Sequence, residues 1–405
     1  MPCGVQRGVS LRRPPAGDRF AAQPSSLVAA SRVPVYTKPF VLTSLAYLLF
    51  FSNVNAYNLL PLYIQALGGR EGEIGTIMAM FSVAAILGQA TLGGLLDRWP
   101  RKPVLLAATG ILTAVSAAFV GTSRLGGHFY GFRFLQGVAL AVFTTSNLTL
   151  IGELAPPGRR AEAVGIYGAA GLMAVALGPA LGEVVLRAWG FQLFFLATVL
   201  VAGGALALTW ATPMPPAGPT LAAPSLGRTF WRTYLPVLLP VFQYGLANAI
   251  LFVFLPPFAR GIGLARVGPF YLAYTGAAIA VRFCAGGLAD RFGRQRVILP
   301  SLVGMTVGLL ICSVLHATWL LVLIGVVNGT AQGFVFPATS ALAFDQAPPG
   351  RRNQALAIYN IANLLGAALG ASGFGWLAEN LGYRPGFVLA SVVLAPGVLL
   401  FWRQR

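Results

Sequence analysis

One loop is written twice in this chain. GGLLDRWPRK, Gly93 to Lys102, returns as GGLADRFGRQR, Gly286 to Arg296, and Asp97 and Asp290 stand 193 positions apart. Each copy ends one long apolar run and opens the next, so each is a short charged turn between two hydrophobic segments. Self-similarity at about half of 405 residues means two copies of one unit. The register holds elsewhere. APPGRR occurs at Ala155 to Arg160 and at Ala347 to Arg352, which pairs Glu153 with Asp345 and Tyr167 with Tyr359. Pro61 and Pro256 lie 195 apart and pair Asn53 with Asn248.

The solvent of this chain is lipid. Charged residues are 9% of it and hydrophobic ones 57%, where a soluble protein carries about 25% charge. Apolar runs of roughly 20 residues, the length that crosses a bilayer as helix, recur throughout. They predict spans near 40–60, 73–96, 103–121, 127–151, 163–186 and 191–210, and again near 234–258, 267–289, 297–315, 319–344, 354–377 and 385–402. The expected architecture is therefore an all-α membrane protein. It has twelve transmembrane helices in two pseudo-symmetric six-helix bundles, 39–211 and 233–405. A cytoplasmic Pro-rich linker, 212–232, joins them, and a disordered, Arg-rich tail, 1–38, precedes them.

The net charge of +18 does not mark a nucleic-acid binder. Most of the 28 Lys and Arg fall in alternate loops, the tail and the C-terminus, the positive-inside pattern. It places both termini in the cytoplasm and the chain in the inner membrane as a multi-pass protein. Cys3, Cys284 and Cys312 form no framework and read as free thiols. The sequence holds no phosphate-binding loop, metal-ligand cluster or nucleophile–base pattern, so neither enzyme nor ATP-driven pump is expected, and no cofactor or metal.

Polar residues at membrane depth are costly and need protein or water to face. The first span carries Asn53, Asn55 and Tyr57. Span four carries Arg133 and Gln136, span seven Gln243 and Asn248, and span ten Asn328 and Gln332. They line a cavity or bond helix to helix; both readings stand, and a cavity position is favoured for Arg133. Arg282, near a span end, is expected to reach the interface or pair with loop acids.

The two loops resemble the signature of the major facilitator superfamily. Gly93, Asp97, Arg98 and Arg101 carry it in the first copy and Gly286, Asp290, Arg291 and Arg294 in the second. Pro100 stands where that family usually has Gly. Arg133, Gln136 and Gly137 resemble its proton-coupled fourth-helix motif. Gly178, Pro179 and Gly182 resemble its antiporter fifth-helix motif, with Glu183 where Gly is usual. The resemblance, closest to the drug:proton antiporter-like members, implies that helices one, four, seven and ten line a substrate cavity. It also implies that the halves rock to expose that cavity to each side in turn. Asp97 and Asp290 are then placed to hold the cytoplasmic face shut by accepting from helix N-termini or Arg side chains.

The expected function is secondary transport, with export of small amphipathic compounds in exchange for protons. Proton-linked or facilitative uptake of a polar or anionic metabolite is the alternative, and a membrane sensor that moves nothing is a lesser one. The partners expected are a lipid bilayer and a small-molecule substrate, with the protein a monomer. None of the ten acids falls near mid-bilayer. Any proton coupling would rest on Glu153, Glu183 or Asp345 near span ends, and Glu183 has Arg187 four residues on as a local partner.

Overall fold

The computed structural model describes residues 36–96, 99–156, 159–214, 228–285, 291–346 and 352–403. Their secondary structure is helical. The first six helices are α1 (Lys38–Ala66), α2 (Glu71–Leu96), α3 (Arg101–Val120), α4 (His128–Leu154), α5 (160–189) and α6 (191–211). The second six are α7 (Arg228–Gly261), α8 (Gly268–Cys284), α9 (Arg294–Ser313), α10 (Thr318–Asp345), α11 (Arg352–Leu381) and α12 (Tyr383–Arg403). Among the described residues eight apolar stretches are long enough to cross a membrane, and one of them, Gly165–Ala211, contains two helices.

Local chemistry sets the breaks. α1 tightens into a 3-10 turn at Tyr57–Leu59 just before Pro61, which has no N–H to continue the ladder. α5 and α6 run end to end and turn at Gly190, whose φ of 80° a side chain would disfavour. The expected gap between spans five and six is thus a single residue. Glu71 and Glu73 occupy the first turn of α2, where the helix dipole favours negative charge.

Within each half the backbones touch at small residues. A Cβ on Gly137 of α4 would strike the Phe81 carbonyl of α2, and one on Gly329 of α10 the Tyr274 carbonyl of α8. These glycines lie 192 positions apart, so the internal repeat extends to helix packing.

The halves share one core at one end only. Tyr57, Tyr63, Ile74 and Phe195 of the first half cluster with Ile250, Phe254, Phe270 and Phe374 of the second. At the other end, where Lys38, Arg101, Arg159 and Arg294 gather, the clusters separate. Phe50, Leu105 and Phe143 pack in the first half and Tyr234, Ala343 and Tyr359 in the second. The shared core thus lies at the end of Glu183 and Glu379, and the end of Arg101 and Arg294 holds two cores, with Leu364 of the second half against the first.

Candidate functional site

Asn53 sits fully inside the first half. Its Nδ2 donates to Ser116 Oγ of α3 at 3.2 Å and to the Thr198 carbonyl of α6 at 2.7 Å. Tyr57 lies beside it, its hydroxyl 3.3 Å from Thr198 Oγ1 and its ring 5.1 Å from Phe119. Asn55 Nδ2 returns to the Phe51 carbonyl of its own helix at 2.8 Å. For these three the helix–helix and local reading describes the contacts, and a cavity lining does not. The reason is geometric: the face of α1 with Asn53 and Tyr57 packs on α3 and α6, and Asn55 lies beside Gly178 of α5.

Arg133 is buried, 4% exposed. Its Nη1 donates to Gln136 Oε1 at 2.8 Å, the guanidinium lies 4.5 Å over the Phe81 ring, and Nε has no partner. Tyr57 of α1 stands within electrostatic range of it, and Gln136 Nε2 has no partner. No described carboxylate pairs with Arg133.

In the second half Gln243 Nε2 donates to the Leu394 carbonyl of α12 at 2.8 Å, and Asn328 Nδ2 to the Ile324 carbonyl of its own helix at 2.9 Å. Both side chains are buried between helices of one half, so neither lines the opening. Asn248 is half-buried, and Tyr274 donates to its Oδ1 at 3.0 Å. Gln332 is buried, and its Oε1 has no partner.

Arg282 is half-buried two residues before the end of α8, and the loop acids Asp97 and Asp290 that could pair with it lie outside the described residues. Its guanidinium sits 5.6 Å from the Phe336 ring. Tyr244, Tyr274 and Tyr359 of its own half and Tyr47 of the other stand within electrostatic range of it. Nε has no partner, and no described acid lies against it. Tyr47 stacks on Tyr167 at 3.8 Å, and Asn147 Nδ2 donates to Tyr167 at 3.1 Å. Thr339 and Tyr359 repeat that last contact at 3.1 Å in the second half. A half-buried cation among aromatic rings of both halves is the site that reasoning from sequence alone missed. Its signal was the set of tyrosines at intramembrane depth on α1, α7, α8 and α11.

The fifth-helix residues pack rather than gate. A Cβ on Gly178 would meet the Ser52 carbonyl of α1, and one on Gly182 would lie 3.0 Å from Phe194. Pro179 lies inside α5. Glu183 makes no ion pair with Arg187. Its two oxygens accept from the backbone N–H groups of Val267 at 2.7 Å and Gly268 at 2.5 Å, in the other half. Glu153 and Asp345 pair with Arg101 and Arg294, each within its own half, at the basic end. Gly93 lies in α2 and Arg291 is exposed, whereas Asp97, Arg98, Gly286 and Asp290 lie outside the described residues. No group of three His, Cys, Asp or Glu among the described residues could hold a metal.

The model of the family described as Major Facilitator Superfamily matches residues 41–282 and 242–405. The multidrug resistance protein MdtG of Citrobacter koseri is 32% identical over 187 residues, 43% of this chain and 46% of that one. MdtG of Salmonella typhi is 31% identical over 173 residues, 40% and 42% respectively. The matched stretch thus spans less than half the length of these relatives. The fold matches the peptide transporter POT in complex with sulfate at a TM-score of 0.77, with 12% identity, over 93% of this chain and 97% of that one. It matches the nucleoside transporter NupG at 0.74, with 16% identity, over 90% and 99%.

Proposed function

The chain belongs to the major facilitator superfamily, and on that premise we propose that it is a proton-driven exporter of small amphipathic compounds that carry negative charge. The observation that carries this is the pair of guanidiniums, Arg133 buried and Arg282 half-buried, with no described carboxylate paired with either. An uncompensated charge in the membrane interior is expensive. An anionic group entering between the halves supplies the missing partner to Arg282 through charge-assisted hydrogen bonds. The rings of Phe336, Tyr244 and Tyr47 give the apolar remainder of the ligand a flat surface. Likeness to multidrug resistance proteins supports export and a permissive aromatic wall.

The arginine-rich end belongs in the cytoplasm by the positive-inside rule. The described arrangement, with two separate cores at that end, is then the inward-open one, in the inner membrane of a bacterial cell. A monomer suffices, because both halves of the cavity come from one chain. Glu153, Asp345 and Glu183 remain the carboxylates through which protons would act. Uptake of an anion is the second reading, since Arg282 serves either direction.

Inside-out vesicles with an imposed pH gradient separate them. Export in exchange for protons predicts accumulation of an amphipathic anion when the lumen is acid, with proton release from it. Arg282→Gln should weaken anion transport about tenfold or more without loss of folded protein. Equal transport of anionic and cationic amphipaths by wild type and variant would overturn the charge assignment.

A further inference from the structure

Glu183 has a counterpart that closes the other side of the same mouth. Glu379, at the far end of α11, accepts the backbone N–H of Gly72 in the first turn of α2, at 3.0 Å. Glu183 does the same for Val267 and Gly268 at the start of α8. Each contact runs from one half to the other, in opposite directions. Glu183 and Glu379 are 196 positions apart, and so are Gly72 and Gly268. The same offset aligns Leu181 with Leu377, Gly190 with Gly386 and Phe191 with Phe387. The internal twofold therefore turns one contact into the other.

We infer that Glu183 and Glu379 are a matched pair of clasps that hold the outer mouth shut, each carboxylate of one half capping the first turn of a helix in the other. The inference rests on reading the chain as a carrier whose halves rock apart.

Three features make the contacts clasps rather than incidental neighbours. The acceptors are carboxylates and the donors are N–H groups that the helix itself cannot satisfy, at the positive end of its dipole. The receiving residue is glycine in both, and the space a methyl would fill is taken by the carboxylate. A Cβ on Gly268 would lie 2.7 Å from Glu183 Oε2, and one on Gly72 would strike Glu379 Oε2. The Glu379 clasp also flanks a seam where the halves pack backbone to backbone. A Cβ on Gly75 would meet the Ala371 carbonyl at 2.5 Å, and one on Gly375 the Gly75 Cα at 3.0 Å. Glu183 is the firmer clasp, 8% exposed with both oxygens engaged. Glu379 is more open and adds an exposed contact to Arg70 at 3.6 Å, which contributes little in water.

Rocking to the outward-open state breaks both clasps, and no backbone partner on their own half replaces them. Removing them should shift the equilibrium outward, not merely soften the protein. The test is a distance measurement between spin labels on cysteines replacing Arg124 and His316, loop residues at the outer end of each half. Cys3, Cys284 and Cys312 are first removed, and the full chain is placed in vesicles. Glu183→Gln and Glu379→Gln should each raise the outward-to-inward ratio about tenfold, and together roughly a hundredfold. Gly72→Ala with Gly268→Ala keeps every charge, displaces both carboxylates and should move the ratio in the same direction. Glu73→Gln on the same rim, whose carboxylate caps its own chain at Arg70, should leave it unchanged. If both double variants keep the wild-type distances, or lose only melting temperature, the clasps are overturned. Substrate flux through the wild type judges the carrier reading separately.

Discussion

Asn53 and Asn248 occupy one position of the repeat and do different work. Asn53 bridges α1 to α3 and α6, and its loss strands the Ser116 hydroxyl and the Thr198 carbonyl in a dry interior. Asn53→Leu should cost about 1–3 kcal/mol of stability, seen as a lower melting temperature in detergent. Asn248 is half-buried, and its Oδ1 accepts from Tyr274. Asn248→Leu should leave the melt near wild type and weaken substrate binding, measured on the same preparation. Sequence marked both residues as polar groups within a span. It could not tell which face of α1 meets α3 and α6, because an amide that bonds a helix and one that bonds a ligand look alike in a span. Arg282 shows the same limit: eight residues from Asp290 it reads as interfacial, and no spacing in the sequence brings it within 5.6 Å of the Phe336 ring.

Glycines at helix scale fall into two classes with different consequences. Gly178 lets α5 lie on α1 inside one half, whereas Gly75 and Gly375 let α2 lie on α11 across the halves. Gly178→Leu should therefore unfold the first bundle and lower the yield of protein extracted from membranes. Gly75→Leu wedges apart two bodies that are each intact. It should leave the melting temperature within a few degrees of wild type and expose the outer cleft to thiol reagents at a cysteine placed there. Equal loss of yield in both variants would show that the seam belongs to a folding core and not to a moving joint. The Gly178, Pro179 and Gly182 cluster was legible because it follows a family pattern. The seam was not: with 49 glycines in the chain, no spacing singles out the two that meet across the halves.

The whole molecule was the easiest level to read and its state the hardest. A loop repeated after 193 residues, a lipid-like composition and alternating positive loops dictate two six-helix units. Nothing in those patterns says which end is shut, because the two states differ by small gaps between rigid bodies. The answer lies in which side chains cross: the shared aromatic core and the two glutamates at its rim, against ion pairs such as Arg101 with Glu153 that stay within one half. Two bodies that touch at one end and pivot impose a consequence on any bond laid across that end. With the native cysteines removed, Gly72→Cys and Glu379→Cys bring two thiols to one clasp. Oxidation should join them, since the Glu379 side chain reaches the space that a side chain on Gly72 would fill. The bridged protein should keep its inward-side substrate binding and stop transporting, and a reductant should restore flux. The symmetry-related pair, Glu183→Cys with Gly268→Cys, should arrest it as completely, because a pivot stops when either side of its mouth is tied. Full flux through a bridged protein would mean that the halves do not part at this rim.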